Sequence, residues 1–256
     1  PAEPLFRSFL AGGHPYGISA SQDYLYATIL GNDKISRIPL EQVDSTENVV
    51  TEDVVTAGNI IRSVAVNRSG DLFFMYKYDN NVYKIPVSKL ASLPIVAESA
   101  AEVFFTVEDP GDIENMAFDP DDNLYIVNNI YDSDTDSLQC RIMKVAAGGA
   151  VITKTIPVDF YVKGVALTSY GDLYILDQNK KIYKASKSEL EGNDSVVFDP
   201  VRTVDGVDVN DITVLPDGRI VYSDYYRFAI SFAGISVEPS APTGVTATAG
   251  DGQVDR

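Results

Sequence analysis

Asp211-Ile212-Thr213-Val214-Leu215-Pro216-Asp217-Gly218-Arg219-Ile220-Val221-Tyr222-Ser223-Asp224 decides the fold. An apolar run ends in a tight Pro-Asp-Gly turn, and a second apolar run ends in a polar residue. Gly and Asn tolerate the positive φ that such hairpin turns need. Four other segments follow the same plan. Aligned on the residue that opens the second run, they are anchored at Leu25, Leu72, Leu124, Leu173 and Ile220, which stand 47, 52, 49 and 47 residues apart by subtraction. A period near this length signals a propeller or a solenoid.

Each unit reads as four short strands. The first is Ile18-Ser19-Ala20, Val64-Ala65-Val66, Met116-Ala117-Phe118, Val165-Ala166-Leu167 or Ile212-Thr213-Val214. The second opens at the anchor. The third carries a mark of its own, as in Val82-Tyr83-Lys84-Ile85, Ile142-Met143-Lys144-Val145 and Ile182-Tyr183-Lys184-Ala185. The fourth is looser and outermost, as in Glu102-Val103-Phe104-Phe105-Thr106 and Ser195-Val196-Val197-Phe198. The first two strands are nearly continuous apolar runs, which suits sheets covered on both faces, as in radially packed blades. Two-residue alternation and frequent turns exclude helical repeats. A β-solenoid would need shorter coils.

The termini support closure. Leu5-Phe6-Arg7-Ser8-Phe9-Leu10 precedes the first unit and reads as an orphan fourth strand, whereas the last unit stops after its third, at Phe228-Ala229-Ile230-Ser231-Phe232. The N-terminal strand would complete the last blade and remove an exposed edge. The expectation is an all-β, five-bladed propeller over residues 1–235; six blades would require a further unit.

Composition agrees. The 256 residues include 15 Tyr and 11 Phe but no Trp, and 45% are hydrophobic, enough for a full β core. The net charge of −17 repels a phosphate backbone or an anionic membrane surface, so nucleic acid is excluded as a partner class. Cys140, the single cysteine, rules out an intrachain disulfide and a cysteine-cluster metal site. No apolar run reaches the ~18 residues of a spanning helix, and no signal peptide is visible. Pro1-Ala2-Glu3-Pro4 reads either as a terminus left after cleavage or as an arbitrary boundary of the stretch.

The units resemble NHL-type repeats, whose pattern is a Pro-x-Gly-Ile-Ala start, an Asp-x-x-Gly-Asn turn and then Leu-Tyr-Val. His14-Pro15-Tyr16-Gly17-Ile18, Asp119-Pro120-Asp121-Asp122-Asn123-Leu124-Tyr125-Ile126 and Gly171-Asp172-Leu173-Tyr174-Ile175-Leu176-Asp177 carry it. The resemblance implies the architecture and leaves the activity open. Residues 236–256, rich in Pro, Gly, Thr and Ala, read as a linker and resemble the start of a fibronectin type III module of bacterial extracellular proteins. That resemblance implies a module of a secreted or cell-surface, bacterial protein.

In a propeller the first strands line the central channel, so aligning the units yields rings of residues. Tyr16, Arg62, Glu114, Lys163 and Asn210 form the expected mouth ring, with Gly17, Ser63, Asn115, Gly164 and Asp211 below it. Ile29, Tyr76, Asn128, Asp177 and Asp224 end the second strands on the same face. This polar mouth reads either as a small ligand site (Tyr16, Arg62, Glu114, Lys163, Asn210, Tyr76, Asn128, Asp177 and Asp224) or as an ion-paired plug, with Arg62, Lys163 and Glu114 near one another.

Asn115 and Asp211 fall where lactonase propellers resembling senescence marker protein 30 hold a divalent cation. That resemblance implies a site completed by Glu114 or Asp177, whose hard oxygens suit Ca²⁺ or Mg²⁺ and a metal-activated water. His14 and the residues after it also resemble streptogramin lyases, which imply a histidine base beside a metal; the alternative is a solvated loop histidine. Asp132-Ser133-Asp134-Thr135-Asp136 offers Asp132, Asp134 and Asp136 as calcium ligands, although Ser137 and Met143 break the EF-hand pattern.

No Walker motif or nucleophile elbow is present, and one histidine makes a serine triad improbable. No catalytic residue and no definite cofactor is assigned. The leading expectation is non-catalytic recognition of a protein or glycan on the mouth face, with exposed aromatics such as Tyr76, Tyr131 or Tyr225. The alternatives are a metal-dependent lactonase or lyase, and a structural spacer.

Overall fold

The computed structural model of the chain describes residues 9–10, 13–44, 49–108, 111–132, 134, 137–192 and 195–237. Residues 238–256, on which the expected start of a fibronectin type III module falls, the stretch 5–8 and Asp136 lie outside the described residues, as does the side chain of Asp132.

The paired apolar runs become the two inner strands of five blades. β1 (Phe9–Leu10) precedes the first blade, which holds β2 (His14–Ala20), β3 (Tyr24–Leu30), β4 (Lys34–Pro39) and β5 (Glu52–Thr56). Blade 2 holds β6 (Ile61–Val66), β7 (Leu72–Tyr76) and β8 (Asn81–Ile85). Its chain then makes an excursion through β9 (Ile95–Val96), which adds a parallel strand to the outer edge of blade 1, before returning as β10 (Glu102–Thr106). Blade 3 is β11 (Asp112–Phe118), β12 (Leu124–Asp132), β13 (Ser137–Val145) and β14 (Ile152–Val158). Blade 4 is β15 (Val162–Leu167), β16 (Leu173–Asp177), β17 (Lys181–Ala185) and β18 (Asp199–Thr203). Blade 5 is β19 (Val209–Val214), β20 (Arg219–Asp224) and β21 (Ala229–Ser236).

Blade 5 takes its fourth strand from the N-terminus. Phe9 pairs with Ile230 and Leu10 with Ala229, giving the order β1-β21-β20-β19. The innermost strands touch in a ring, β2 to β6, β6 to β11, β11 to β15, β15 to β19 and β19 back to β2. The protein is therefore a closed, five-bladed propeller.

Each junction between blades has its own apolar cluster. Tyr26, Ile35 and Val55 meet Val64 and Phe74 between blades 1 and 2. Phe73 and Met75 meet Met116 and Ile126 at the next junction, and Val127 and Ile142 meet Val165 and Ile175 after it. Leu176 and Ile182 meet Ile212 and Tyr222, and Val221 and Ile230 meet Ile18 and Leu25 where the ring closes. A side chain such as Phe73 or Phe74, fully buried, contributes roughly 1.5–3 kcal/mol by leaving water.

The turns obey their residues. Gly70, Gly171 and Gly218 take φ of 84°, 92° and 84°, and Asp122 takes 60°, the left-handed region the hairpins need. The lysine of the third strand also finds a reason. Lys84, Lys144 and Lys184 reach back to Asp71, Asp119 and Asp172 at 2.8, 3.0 and 2.7 Å, lying over the rings of Phe73, Tyr125 and Tyr174. One strand is displaced from its expected place. The outer strand of blade 4 is Asp199–Thr203, not Ser195–Phe198. Val196 and Phe198 pack on the core between blades 3 and 4 instead, and Pro200 is tolerated because the strand is an edge.

No helix among the described residues is long and apolar enough to cross a membrane.

Candidate functional site

All five blades carry the same irregularity at the mouth. The two inner strands slip register between Pro15 and Ile18, Ile61 and Ser63, Ile113 and Met116, Val162 and Gly164, and Val209 and Asp211. A bulge re-aims the side chains it contains, and here those are the residues of the two expected rings.

Three members of the outer ring converge. Arg62 pairs through Nη2 with Glu114 Oε1 at 2.5 Å and through Nη1 with Asp112 Oδ1 at 2.5 Å. The Tyr16 hydroxyl donates to Glu114 Oε2 at 3.0 Å and accepts from Arg62 Nη2 at 3.3 Å. Tyr16 and Glu114 belong to blades 1 and 3, so their contact spans the axis. Tyr161 enters from the loop before blade 4 and sets its hydroxyl, with one hydrogen to donate, within hydrogen-bond reach of both Glu114 and Asp112. Lys163 does not join this group. Its Nζ donates to Asp208 Oδ1 at 2.9 Å and Asn210 Oδ1 at 3.1 Å, so the expected trio of Arg62, Lys163 and Glu114 is corrected to two separate clusters. Asp112 and Tyr161 were not legible in the sequence pattern, because Tyr161 stands just before its strand and a bulge interrupts the alternation at Glu114 and at Lys163.

Electrostatics follow burial. Burial outweighs the attraction of Arg62 and holds the Glu114 carboxyl above its ordinary range. Asp112, half-exposed, is held below it: its burial is outweighed by the Tyr161 hydrogen bond and the Arg62 charge. Burial also pushes both phenols, Tyr16 and Tyr161, upward, with Glu114 adding to the shift. Arg62 Nε is buried without a hydrogen-bond partner.

The inner ring is closed by packing. Asp211 is fully buried, with Oδ2 accepting from the Ile18 amide at 2.7 Å and Oδ1 from its neighbour Ile212 at 2.7 Å. Burial raises its titration well above the ordinary carboxylate value, against the pull of these amides. Asn115 Oδ1 accepts from Ser63 Oγ at 2.6 Å and from the Met116 amide at 2.9 Å. Its Nδ2 faces Asp211 electrostatically but makes no hydrogen bond of good geometry. A Cβ on Gly164 would sit 2.8 Å from Asp211 Oδ1 and 2.9 Å from its Cα. Gly164→Ala is accordingly expected to lower stability by about 1–3 kcal/mol through overpacking, read as a shifted urea midpoint at unchanged slope.

The ends of the second strands brace loops. Asn128 accepts from the Gly111 amide, Asp177 from the amides of Asn179 and Lys181, and Asp224 from those of Val207 and Asp208. Tyr76 donates weakly to Glu98, at 3.5 Å, and Ile29 is buried. Asp134 is exposed on the loop after blade 3's second strand. Among the described residues no group of three or more His, Cys, Asp or Glu is arranged to hold a metal ion. Cys140 is buried, which pushes its thiol up to about 12. His14 is no solvated loop residue: it belongs to β2 and its ring stacks on Tyr225 at 4.2 Å.

Aromatic residues crowd the same face. Tyr78 is 90% exposed, Tyr131 64%, Tyr226 63% and Phe228 40%. Tyr78, Tyr226 and Phe228 lie on the connections between second and third strands, and Tyr131 at the end of the second strand of blade 3. Tyr170, the other strongly exposed ring among the described residues, is on the opposite face.

These features define a closed five-bladed β-propeller whose axis is filled by polar side chains. No protein-family model matches the chain, and no curated protein matches it. Among solved structures it is similar to a gluconolactonase from Xanthomonas campestris, with a TM-score of 0.58 at 9% identity over 83% of this chain and 70% of that one. It is also similar to a luciferin-regenerating enzyme, with a TM-score of 0.55 at 12% identity over 84% of this chain and 69% of that one. Virginiamycin B lyase from Staphylococcus aureus matches with a TM-score of 0.47 at 14% identity over 85% of this chain, which spans 65% of the lyase. At such identities the likeness is one of fold.

Proposed function

We propose that this propeller is a non-catalytic recognition module of a secreted or cell-surface protein, binding a protein or glycan on its mouth face. The observation that carries this reading is Tyr78. It stands at φ 69°, a conformation unfavourable for a bulky side chain, and 90% of it faces solvent. A ring held out of its preferred backbone region, with only the Lys77 ammonium 4.9 Å from its centroid, gains little from the fold. Strain of this kind gathers where a surface is used. Tyr131 and Tyr226 extend the same face, and exposed aromatics are the residues that dominate interface energies. The occupied oxygens of Asp211 and the crowding at Gly164 weigh against the metal-dependent lactonase or lyase reading.

The test is a screen of the immobilised protein against a glycan array and against crosslinked extracellular protein, with the triple variant Tyr78→Ser, Tyr131→Ser, Tyr226→Ser alongside. The expected result is a ligand in one class and at least 10-fold weaker binding by the variant at an unchanged melting temperature. Equal binding by both proteins would sink the proposal. EDTA or added Ca²⁺ is expected to leave the wild-type melting midpoint unmoved; a rise abolished in Asp211→Ala would favour the enzyme reading.

A further inference from the structure

The corner between blades 5 and 1 brings His14, Tyr225, Tyr226 and Phe228 together on the mouth face. Tyr225-Tyr226-Arg227-Phe228 forms a turn in which the Phe228 amide donates to the Tyr225 carbonyl at 3.3 Å. Phe228 takes φ 55°, where Asn or Gly would sit without strain. Its ring and that of Tyr225 flank His14, with centroids at 4.0 and 4.2 Å. Tyr226 stands nearly perpendicular to Tyr225, at 85° and 5.1 Å. Two partly open rings, Tyr226 and Phe228, thus share one corner.

His14 adds a polar point. Its Nδ1 lies 3.0 Å from the Tyr225 carbonyl oxygen. A carbonyl only accepts, so Nδ1 carries the hydrogen, and Nε2 of the neutral ring is an acceptor.

Charge selects among ligands. The chain carries −17 overall, yet this corner is balanced. Asp205, Asp208 and Asp224 face Arg227, Lys163 and Lys180. Arg227 lies 3.6 Å from Asp205 and from Asp224, Lys163 pairs with Asp208 at 2.9 Å, and Lys180 donates to the Gly206 carbonyl at 2.8 Å. Each of these six groups already has a polar partner within the loops around the turn, so the turn offers no free ion to a charged ligand. A neutral polyhydroxylated ring would find aromatic faces for its C–H side, since those faces are the negative part of the ring quadrupole, and both acceptors and donors for its hydroxyls.

Resting on the recognition reading above, we infer that the corner formed by His14, Tyr226 and Phe228 is the subsite for a neutral pyranose of a glycan. His14 is the sole histidine, so its imidazole signal in an NMR spectrum reports this corner alone. The experiment titrates the protein with the methyl glycosides of glucose, galactose and mannose, then with neutral oligosaccharides. The expected result is a saturable shift of the His14 signal with at least one of these sugars, unchanged in affinity between 50 and 500 mM NaCl, figures that are on the order of the range over which ionic contacts are screened. Tyr226→Ala and Phe228→Gly are expected to weaken binding at least 10-fold. Phe228→Gly relieves the left-handed φ of its site but loses the ring packed on His14, so each variant's melting temperature is measured beside its titration and binding is compared at a temperature where both are folded. Tyr170→Ala, an exposed ring on the opposite face of the propeller, should bind the sugar as wild type does.

Sugar binding that leaves His14 unmoved, or that Tyr78→Ala abolishes and Phe228→Gly spares, would overturn the placement while leaving the recognition reading intact. Preference for sialylated or sulfated glycans, or capture of a protein with no sugar bound, would overturn the ligand class alone. Absence of any glycan or protein ligand would overturn both.

Discussion

Arg62→Met is expected to destabilise the protein by about 3–5 kcal/mol, the range seen when one member of a buried ion pair is removed. For a chain of this size that corresponds to a melting temperature lower by about 6–20 °C. The Arg62 and Glu114 side chains are 10% and 3% exposed, so the stranded carboxylate would have neither water nor a cation. Methionine keeps most of the arginine stem, and the loss reports charge rather than volume. The double variant Arg62→Met, Glu114→Leu removes both charges together and is expected to recover most of the loss.

The pH dependence has a definite sign. Glu114 is held above its ordinary value of 4.5 in the folded protein. The folded state therefore binds a proton that the unfolded state has released, and stability falls as pH rises from that value through the folded one. Losing Arg62 enlarges the effect, so Arg62→Met should regain stability between pH 7 and pH 5 more steeply than wild type. Asp112 runs the other way, because its carboxyl is held low; its contribution is lost as pH falls through the folded value. Thermal melts from pH 4 to pH 8 on both proteins check this. A variant that melts within about 2 °C of wild type, a shift on the order of 1 kcal/mol or less, would mean that the pair does not close the mouth.

Asp211→Ala is expected to cost about 2–5 kcal/mol, because it leaves two buried amides, Ile18 and Ile212, without acceptors. The first of these joins blade 5 to blade 1, at the seam where the ring closes. Ser223 reinforces the seam, accepting from the Asp211 amide at 3.1 Å and donating to the Tyr16 carbonyl at 2.5 Å. Asp211→Asn should fall between Ala and wild type, since it keeps one acceptor but presents an amide donor to the other N–H. The folded carboxyl is raised, so wild-type stability from this group declines as pH rises, whereas the Asn variant has no such term. The gap between them is expected to narrow with increasing pH. Urea denaturation at pH 5 and pH 8 measures it, and a constant gap would contradict the burial of an acid at the seam.

Repetition made the fold legible. Five copies of one hairpin plan located the inner strands, their turns and the face on which the rings stand, because strand alternation and turn chemistry act over a few residues. The outer strand of blade 4 was misplaced for the opposite reason. At an edge, apolar content stops distinguishing a paired strand from a segment that packs on the core, and Val196 and Phe198 do the latter. Of the aromatics expected on this face Tyr131 is exposed, whereas Tyr76 and Tyr225 are half-buried; Tyr78 and Tyr226 were not anticipated, because exposure within a tight turn depends on its backbone conformation, which residue type alone does not give.

By itself, the sequence determined the blade number and the ring closure by the N-terminal strand. Only the tertiary structure decided how the residues at the axis pair. Arg62 takes Glu114 and Asp112 while Lys163 turns to Asp208 and Asn210. The choice depends on the bulge in each inner strand and on the few ångströms between blades that face each other across the axis. Those distances join residues about 50 to 100 positions apart, 52 for Arg62 and Glu114 and 98 for Tyr16 and Glu114 by subtraction. No local pattern encodes a separation in space between them; only ring closure sets it.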